Sequence, residues 1–397
     1  MTNNSNNLKF EKYDDPEIKR FTHMNNGEAW QGLLTREQYA DREQYLSESG
    51  IAQKNHDPLA KKLYPEGYEW FGIKFFALKD TSLPTTSKTS QIVSSCETLN
   101  RLGYCTTSGS KGKIELCLNV CIGGVFTEKK FRGQGYAKVM IESLNKYYDD
   151  LRSTPGAPDF IKNLVITLYS EVGDYYTQFG YHTLHVPLHN ITHVDELYQE
   201  YCEGIDSATG RFLGFEDYED LVNLQDEEFK KDLLRTNGAN KDSFIFMVKP
   251  DIEIFKWFQY RDIFIQERTD NGTTQPPFGF ELDDRSHIIW HHNWNDNKLV
   301  ITKIYISENQ KMRSEVILKQ LFAKAINEAR RTHLDILQFW DFEIPLNEFP
   351  QLQATLKKVC DDDELYAQNG SISAVRPPPG YNKDTIIWEK NTKFCWF

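Results

Sequence analysis

The stretch that decides the fold reads Val125-Phe126-Thr127-Glu128-Lys129-Lys130-Phe131-Arg132-Gly133-Gln134-Gly135-Tyr136-Ala137. It begins at the end of an apolar run, Leu116 to Phe126, which is typical of a buried strand. A helix is predicted directly after it, because apolar residues recur at helical spacing from Ala137 to Tyr148. The first N–H groups of a helix lack partners within it, and with the helix dipole they attract anions. The pattern therefore predicts a phosphate-binding turn.

The side chains of this turn suit such a site. Gly133 and Gly135 have no side chain to keep a phosphate away from the backbone, and Ala137 keeps the first helical turn slim. Arg132 adds a positive charge at the mouth of the turn. The alternative is a glycine turn that only starts an ordinary helix.

The stretch resembles the acetyl-CoA signature of the GNAT N-acetyltransferases, Arg/Gln-x-x-Gly-x-Gly/Ala, with Arg132, Gly135 and Ala137 in the defining positions. A second segment, Tyr176 to Tyr181, is similar to the family's Tyr-x-x-x-Gly-Phe, although Tyr181 replaces the usual Phe. The resemblance implies acetyl-CoA as the acetyl donor. It also implies an α/β (α+β) fold in which a mixed β-sheet is flanked by helices.

The resemblance further implies roles for individual residues. The tyrosine that matches Tyr176 protonates the departing CoA thiolate, which a phenol of pKa about 10 can do within hydrogen-bond reach. The alternative is that the ring of Tyr176 packs in the core and that Tyr175, or no tyrosine, donates the proton. The cofactor-binding residues implied are Val125, Phe126 and Thr127, whose main chain would pair with the pantetheine arm, and Arg132, Gly133, Gln134, Gly135, Tyr136 and Ala137.

The general base is a separate question, because a substrate ammonium must lose a proton before it attacks. In some family members a glutamate on the strand before the loop accepts this proton, but the corresponding position here lies near Cys121. Glu97, on the preceding strand, is therefore the candidate base. The alternative for Glu97 is an exposed strand carboxylate or a structural ion pair.

The chain is long enough for two domains. We expect a GNAT domain over residues 1–205, an acidic helical connector over 206–245 and a second α/β domain over 246–397. Residues 299–339 repeat the strand–loop–helix–strand order of 116–169, but the loop 307–313 contains no glycine. The second domain is thus either a GNAT-like repeat that has lost its phosphate loop or a generic α/β module.

The composition restricts which binding partners and which cellular compartment we expect. The net charge of −12 argues against nucleic acid and anionic lipid and suits a cationic amine. The seven cysteines include no Cys-x-x-Cys pair, and no apolar run approaches the ~20 residues of a membrane span. We therefore expect a cytoplasmic protein with no membrane partner. No metal site is expected, because Pro187 interrupts the histidine-containing segment, residues 182–193, and no supporting Cys or carboxylate spacing is evident there.

A narrower resemblance concerns the acceptor. Residues 92–98, 125–137 and 168–174, together with the long C-terminal part, resemble fungal acetyltransferases that acetylate the side-chain nitrogen of free lysine. This implies transfer of acetyl directly to a primary amine, the side-chain amine of free L-lysine. The alternatives are a protein, peptide or polyamine acetyltransferase, and a CoA-binding protein without catalysis.

Overall fold

The computed structural model describes residues 7–205, 209–269 and 275–397. The strands are β1 (Leu8–Tyr13), β2 (Gly72–Asp80), β3 (Ile92–Thr106), β4 (Glu115–Thr127), β5 (Val165–Ser170), β6 (His182–Leu184), β7 (Leu188–Ile191), β8 (Gly210–Phe212), β9 (Phe244–Val248), β10 (Gly279–Leu282), β11 (His287–Asn293), β12 (Lys298–Tyr305), β13 (Ile336–Trp340), β14 (Ile372–Arg376) and β15 (Ile386–Trp388).

The α-helices are α1 (Pro16–Trp30), α2 (Arg36–Ser47), α3 (Pro58–Leu63), α4 (Tyr136–Arg152), α5 (Asp159–Lys162), α6 (Val194–Leu197), α7 (Glu219–Ala239), α8 (Ile252–Gln266), α9 (Ser314–Arg331) and α10 (Pro350–Val359). Short 3-10 helices include Lys129–Phe131, Tyr175–Phe179, Glu308–Arg313 and Lys393–Cys395. Among the described helices, none is both long and apolar enough to cross a membrane.

The first sheet has nine strands. Its main path runs β1-β2-β3-β4-β5-β14-β6, and β9 joins the end of β3 and carries β15 at its other side. The pairs β4–β5 and β9–β15 are parallel and the remaining pairs are antiparallel. The predicted mixed sheet flanked by helices is confirmed.

The helix after the glycine turn packs on one face of this sheet. Met140, Ile141, Leu144 and Tyr148 of α4 are fully buried, as their spacing of three and four residues requires. Asp15 caps α1 by accepting hydrogen bonds from the N–H of Glu17 at 2.9 Å. Helix α1 then packs with α2 beside the first sheet, and α2 also contacts α8.

The second sheet has six strands in the order β7-β13-β12-β11-β10-β8. Its β12 and β13 are parallel and are joined through the 3-10 helix Glu308–Arg313 and α9. This is the same order as β4, the 3-10 helix Lys129–Phe131, α4 and β5. The repeated strand–loop–helix–strand order expected from the sequence is therefore present in the fold.

The two sheets exchange strands. β7, from the first half of the chain, pairs with β13, and β14, from the second half, lies between β5 and β6. Within the predicted connector, Leu221, Phe229 and Leu233 of α7 are fully buried, so this helix belongs to the core. Where separate folding units begin is a different question, and the boundaries at residues 205 and 245 stay predictions.

Candidate active site

A bulge interrupts β4 at the point where β4 and β5 separate. Ser95 of β3 pairs with Phe126 and Glu97 pairs with Gly123, so two residues, Gly124 and Val125, lie opposite one residue of β3. Gly124 has φ +56°, a conformation that favours glycine. The pairing of β4 with β5 covers only Asn119 to Ile122. Beyond Ile122, β4 therefore turns away from β5 and leaves an opening between the strands.

The turn before α4 is built on two glycines in the left-handed region. Gly133 has φ +75° and Gly135 has φ +84°, and Gly135 is the N-cap of α4. No side chain in the described part of the chain makes a capping hydrogen bond there. A Cβ at either glycine would have no heavy atom within 4 Å. The start of α4 is thus open above the backbone, as an anion site requires.

Two polar side chains brace this turn. Nε of Arg132 donates to the carbonyl of Thr127 at 2.9 Å, and its guanidinium lies 5.3 Å from the centre of the Phe126 ring. Nε2 of Gln134 donates to the carbonyl of Lys130 at 3.1 Å. Arg132 and Gln134 therefore hold the shape of the turn even before any ligand arrives.

Tyr136 anchors the first turn of α4 to the sheet. Its hydroxyl donates to Oδ2 of Asp80 at 2.6 Å, and its ring is buried. Burial alone would raise the pKa of Asp80, but hydrogen bonds from Ser82 and Tyr136 lower it below its usual value. The side chain of Tyr136 thus has a structural partner, whereas Ala137 remains half-exposed at the helix start.

The end of β4 is hydrogen-bonded to Ser94 of β3. Oγ of Ser94 donates to the carbonyl of Phe126 at 2.9 Å, and Oγ1 of Thr127 donates to Oγ of Ser94 at 2.9 Å. Val125, in the bulge, is half-buried. The three residues that the resemblance assigned to the pantetheine arm therefore form the rim of the opening between β4 and β5.

Glu97 borders the bulge. A Cβ at Gly124 would lie 3.4 Å from Cγ of Glu97 and 3.1 Å from Nδ2 of Asn26. Burial, and then the negative charge of Glu43, raise the pKa of Glu97 to about 8, while Arg42 lowers it. A carboxyl with this pKa is largely protonated at pH 7 and becomes able to accept a proton as the pH rises through about 8.

The surroundings of Glu97 come from α1 and α2, and sequence reasoning missed them. Arg42 and Glu43 form an ion pair at 2.5 Å. His23 is buried, and burial lowers its pKa to about 4, so its ring is neutral. Nδ1 of His23 and Oδ1 of Asn26 are buried without a hydrogen-bond partner among the described residues. No local sequence pattern indicates this cluster, because its residues lie on α1 and α2, far from Glu97 in the sequence.

Tyr176 lies in the 3-10 helix Tyr175–Phe179. Only 9% of it is exposed, and burial raises its pKa well above the usual value, so the phenol stays protonated. Its ring centre lies 5.3 Å from that of Tyr175 and 6.0 Å from that of Tyr181. Tyr176 shares its core cluster with Cys96 on the α4 face of the sheet.

The two predicted catalytic side chains lie on opposite faces of the first sheet. Cys96 and Glu97 are successive strand residues and point to opposite faces, and Tyr176 is on the side of Cys96. The structure therefore places Glu97 and Tyr176 on two sides of the sheet and records no direct contact between them.

The segment Lys393–Phe397 covers this region, which the sequence did not predict. A Cβ at Gly123 would come within 2.8 Å of the ring of Phe397. The ring of Trp396 stacks on Tyr169 of β5 with centres 5.1 Å apart, and Nη1 of Arg101 donates to the carbonyl of Phe394 at 2.8 Å. The second half of the chain thus supplies part of the wall of the opening.

The four histidines of residues 182–193 are not gathered at one point. Nε2 of His189 lies 2.9 Å from Oδ1 of Asp341, and Nε2 of His185 accepts from the N–H of Asn369 at 3.3 Å. His193 lies near Asp361 and Glu364, and the potential metal-ligand atoms of these three residues are within 4.8 Å of one another. The expected absence of a metal stays a prediction.

Comparison with known proteins agrees with this architecture. Residues 204–397 match the family described as the LYC1 GNAT-like C-terminal domain. The uncharacterized protein YGR111W of Saccharomyces cerevisiae is 52% identical over 397 residues, which is 100% of this chain and 99% of that protein. A lysine acetyltransferase of Yarrowia lipolytica is 26% identical over 256 residues, which is 54% of this chain and 61% of that enzyme.

Among solved structures, a probable N-acyltransferase from Enterococcus faecalis V583 has the same fold. It aligns with a TM-score of 0.51 at 11% identity, over 94% of this chain and 72% of that one. The mixed sheet, the opening beside β4 and the glycine turn define a protein of the GNAT N-acetyltransferase class. Within that class, the chain belongs to the family that includes YGR111W, and its residues 204–397 match the LYC1 GNAT-like C-terminal domain.

Proposed function

We propose that this protein transfers the acetyl group of acetyl-CoA to the side-chain amine of free L-lysine. The observation that carries the proposal is the turn at Gly133 and Gly135, where both residues have positive φ and no heavy atom lies within 4 Å of the Cβ direction at the start of α4. A side chain at either glycine would fill the space that a diphosphate needs. The turn directly follows the edge of β4 that β5 leaves uncovered.

Acetyl-CoA fits this arrangement as a substrate that supplies an activated acetyl thioester. The residues proposed to hold it are Val125, Phe126 and Thr127 along the strand, and Arg132, Gly133, Gln134, Gly135, Tyr136 and Ala137 around the turn. For Tyr136 the proposed contact is through the main chain, because its hydroxyl is bonded to Asp80.

Glu97 and Tyr176 divide the proton transfers in this proposal. Glu97 accepts a proton from the substrate ammonium, directly or through a water molecule, and the amine nitrogen then forms a bond to the acetyl carbonyl carbon. As the carbon–sulfur bond breaks, Tyr176 donates its phenolic proton to the sulfur. The nitrogen loses its second proton as the amide forms, and this proton restores the phenol of Tyr176 through solvent. The base and the acid would approach the reacting atoms from the two faces of the sheet.

The choice of lysine is supported by the relatives and by the chemistry beside Glu97. The relative from Yarrowia lipolytica is named a lysine acetyltransferase. Oδ1 of Asn26, whose side chain lies with Glu97 beside Gly124, is a buried acceptor without a partner among the described residues, and a cationic amine would supply a donor to it. A peptide lysine and a polyamine carry the same amine, so they are the competing acceptors.

A steady-state assay with acetyl-CoA distinguishes these possible acceptors. The panel contains free L-lysine, a lysine-containing peptide, spermidine and, as a control without a second amine, butylamine. We expect the highest kcat/KM on free L-lysine. A higher kcat/KM on the peptide or on spermidine would identify that molecule as the acceptor instead of lysine. CoA binding without turnover of any amine would contradict the enzymatic proposal.

A further inference from the structure

A hydrogen bond spans the opening between β4 and β5. Nε1 of Trp30, the last residue of α1, donates to Oε2 of Glu171 at 3.0 Å, and Glu171 directly follows β5. The ring of Trp30 also lies edge-on to that of Phe126 in β4, with ring centres 6.2 Å apart. The opening is thus bounded by the pair Ile122–Leu168 at its inner end and by the Trp30–Glu171 bridge at its outer end.

The Trp30–Glu171 bridge lies on the same side of the first sheet as Glu97. Asn26 and Trp30 are four residues apart in α1 and therefore share one face of this helix. Nδ2 of Asn26 and Cγ of Glu97 both lie beside the Cβ direction of Gly124. One face of α1 thus extends from Glu97 to the Trp30–Glu171 bridge.

The strand register gives the separation of the two glutamates. Glu97 pairs with Gly123, and counting on from the last β4–β5 pair places Gly123 level with Tyr169. Glu171 is two residues further along the chain. Two strand spacings across the sheet and two residues along it separate the Cα atoms of Glu97 and Glu171 by roughly 12 Å. Lysine carries its two nitrogens at opposite ends of its carbon chain, so the extended molecule can donate a hydrogen bond to both carboxylates.

The carboxylate of Glu171 can accept more than the indole N–H. Glu171 is exposed, and within the described part of the chain its carboxylate forms no ion pair and no second hydrogen bond. Its loop is held by Oγ of Ser170, which donates to the carbonyl of Gly173 at 2.6 Å. A carboxylate beside an indole ring suits an ammonium group, which bonds to the carboxylate and is attracted to the face of the ring.

A neighbouring lysine leaves the charge of Glu171 unpaired. Burial, and then the charge of Arg261, hold the pKa of Lys393 well below its usual value, while Glu171 is among the carboxylates that raise it. Nζ of Lys393 lies over the ring of Trp396 instead, 3.8 Å from its centre. A cation that enters the opening therefore meets a carboxylate without a bound counter-charge among the described residues.

We propose that Glu171, together with the ring of Trp30, binds a second ammonium group of the acceptor while Glu97 receives the amine that is acetylated. This inference rests on the proposed acetyltransferase function and adds a basis for substrate choice. In free lysine the second ammonium is the α-amino group, and in a polyamine it is another amine of the chain. A lysine within a peptide lacks this charge, because its α-nitrogen is an amide. The Trp30–Glu171 bridge would thus favour free diamino acceptors over peptides.

The first test uses the unmodified protein, acetyl-CoA and two pairs of acceptors that differ by one ammonium group. L-lysine is compared with ε-aminocaproate, and cadaverine is compared with pentylamine. We expect kcat/KM to fall about fivefold or more where the second ammonium is absent, and a fall within one pair only would show whether an amino acid or a polyamine supplies it. Equal kcat/KM within both pairs would overturn the ammonium site and leave the acetyltransferase function standing. Absence of turnover on all four would overturn that function, and this inference with it.

A second test locates the contact at Glu171. Glu171→Gln keeps an oxygen that can accept from Trp30 and removes the negative charge. This variant is expected to raise KM for L-lysine about fivefold with little change in kcat, and to leave KM for ε-aminocaproate within about twofold. Asp174→Asn is the matched control and should leave both KM values unchanged, because Asp174 is an exposed carboxylate of the same loop without a side-chain capping bond. Should Glu171→Gln retain the preference of the unmodified protein for L-lysine over ε-aminocaproate, the assignment is overturned.

Discussion

Glu97 gains its properties from residues that are distant in the sequence. Its side chain lies against Gly124 and Asn26, and burial together with Glu43 raises its pKa to about 8. The sequence suggested Glu97 only by its place on the strand before β4. His23, Asn26 and the pair Arg42–Glu43 could not be predicted, because nothing local in α1 or α2 indicates which residues face β3.

The pKa of Glu97 predicts the pH dependence of turnover. The base must be deprotonated, so kcat/KM is expected to rise with pH through about 8. In Glu97→Gln this rise near pH 8 should disappear and kcat should fall roughly 100-fold or more. Glu142→Gln is the matched control, because Glu142 lies exposed on α4. A profile of Glu97→Gln that keeps the rise near pH 8 would exclude Glu97 as the base.

The role predicted for Tyr176 comes from the family resemblance, because no local sequence pattern indicates a proton donor. Burial keeps its phenol protonated, which suits a proton donor. Tyr176→Phe is expected to lower kcat about tenfold or more with little change in acetyl-CoA affinity. Tyr175→Phe is the control, because the two rings are in contact. The same kcat for Tyr176→Phe and for the unmodified protein would exclude Tyr176 from the proton transfer.

At the scale of the element, the unit β4–turn–α4 could be predicted almost completely. The apolar run, the two glycines and the helical spacing all indicated the same arrangement, and α4 begins at Tyr136, one residue after Gly135. The bulge in β4 was not predicted. Adjacent glycines at 123 and 124 within an apolar strand were the available signal, since glycine inside a strand often marks a bulge.

The corresponding unit of the second sheet lacks the phosphate-binding geometry. The loop 307–313 forms the 3-10 helix Glu308–Arg313, which runs directly into α9. Over residues 298–332, all of which the structure describes, none has positive φ. This agrees with the absence of glycine from the loop. The second unit has the same strand and helix order but presents no cradle like that of Gly133 and Gly135.

At the scale of the whole molecule, the sequence predicted the positions of helices and strands better than it predicted which strands pair. The pairing of Ser373 with Tyr169 and of Phe339 with His189 joins residues more than a hundred positions apart. Local periodicity identifies a strand, but it carries no information on which distant edge that strand will join. Prediction therefore assigned β7 and β14 each to its own half, whereas the fold exchanges them.

Both halves of the chain border the opening beside β4. Glu97 belongs to the first half, whereas Phe397, whose ring lies against Gly123, belongs to the second. The absence of a glycine turn from the second unit is compatible with this role, because the second half contributes a wall to the opening.

The central claim is that the turn at Gly133 and Gly135 holds the diphosphate of coenzyme A, and calorimetric titration of the protein with CoA tests it most directly. We expect the unmodified protein to bind CoA and Gly135→Val to bind it roughly tenfold or more weakly. Gly156→Val is the matched control, because Gly156 also has positive φ and open space around its Cβ direction. Equal affinity of the two variants, or no heat of binding with the unmodified protein, would contradict the claim.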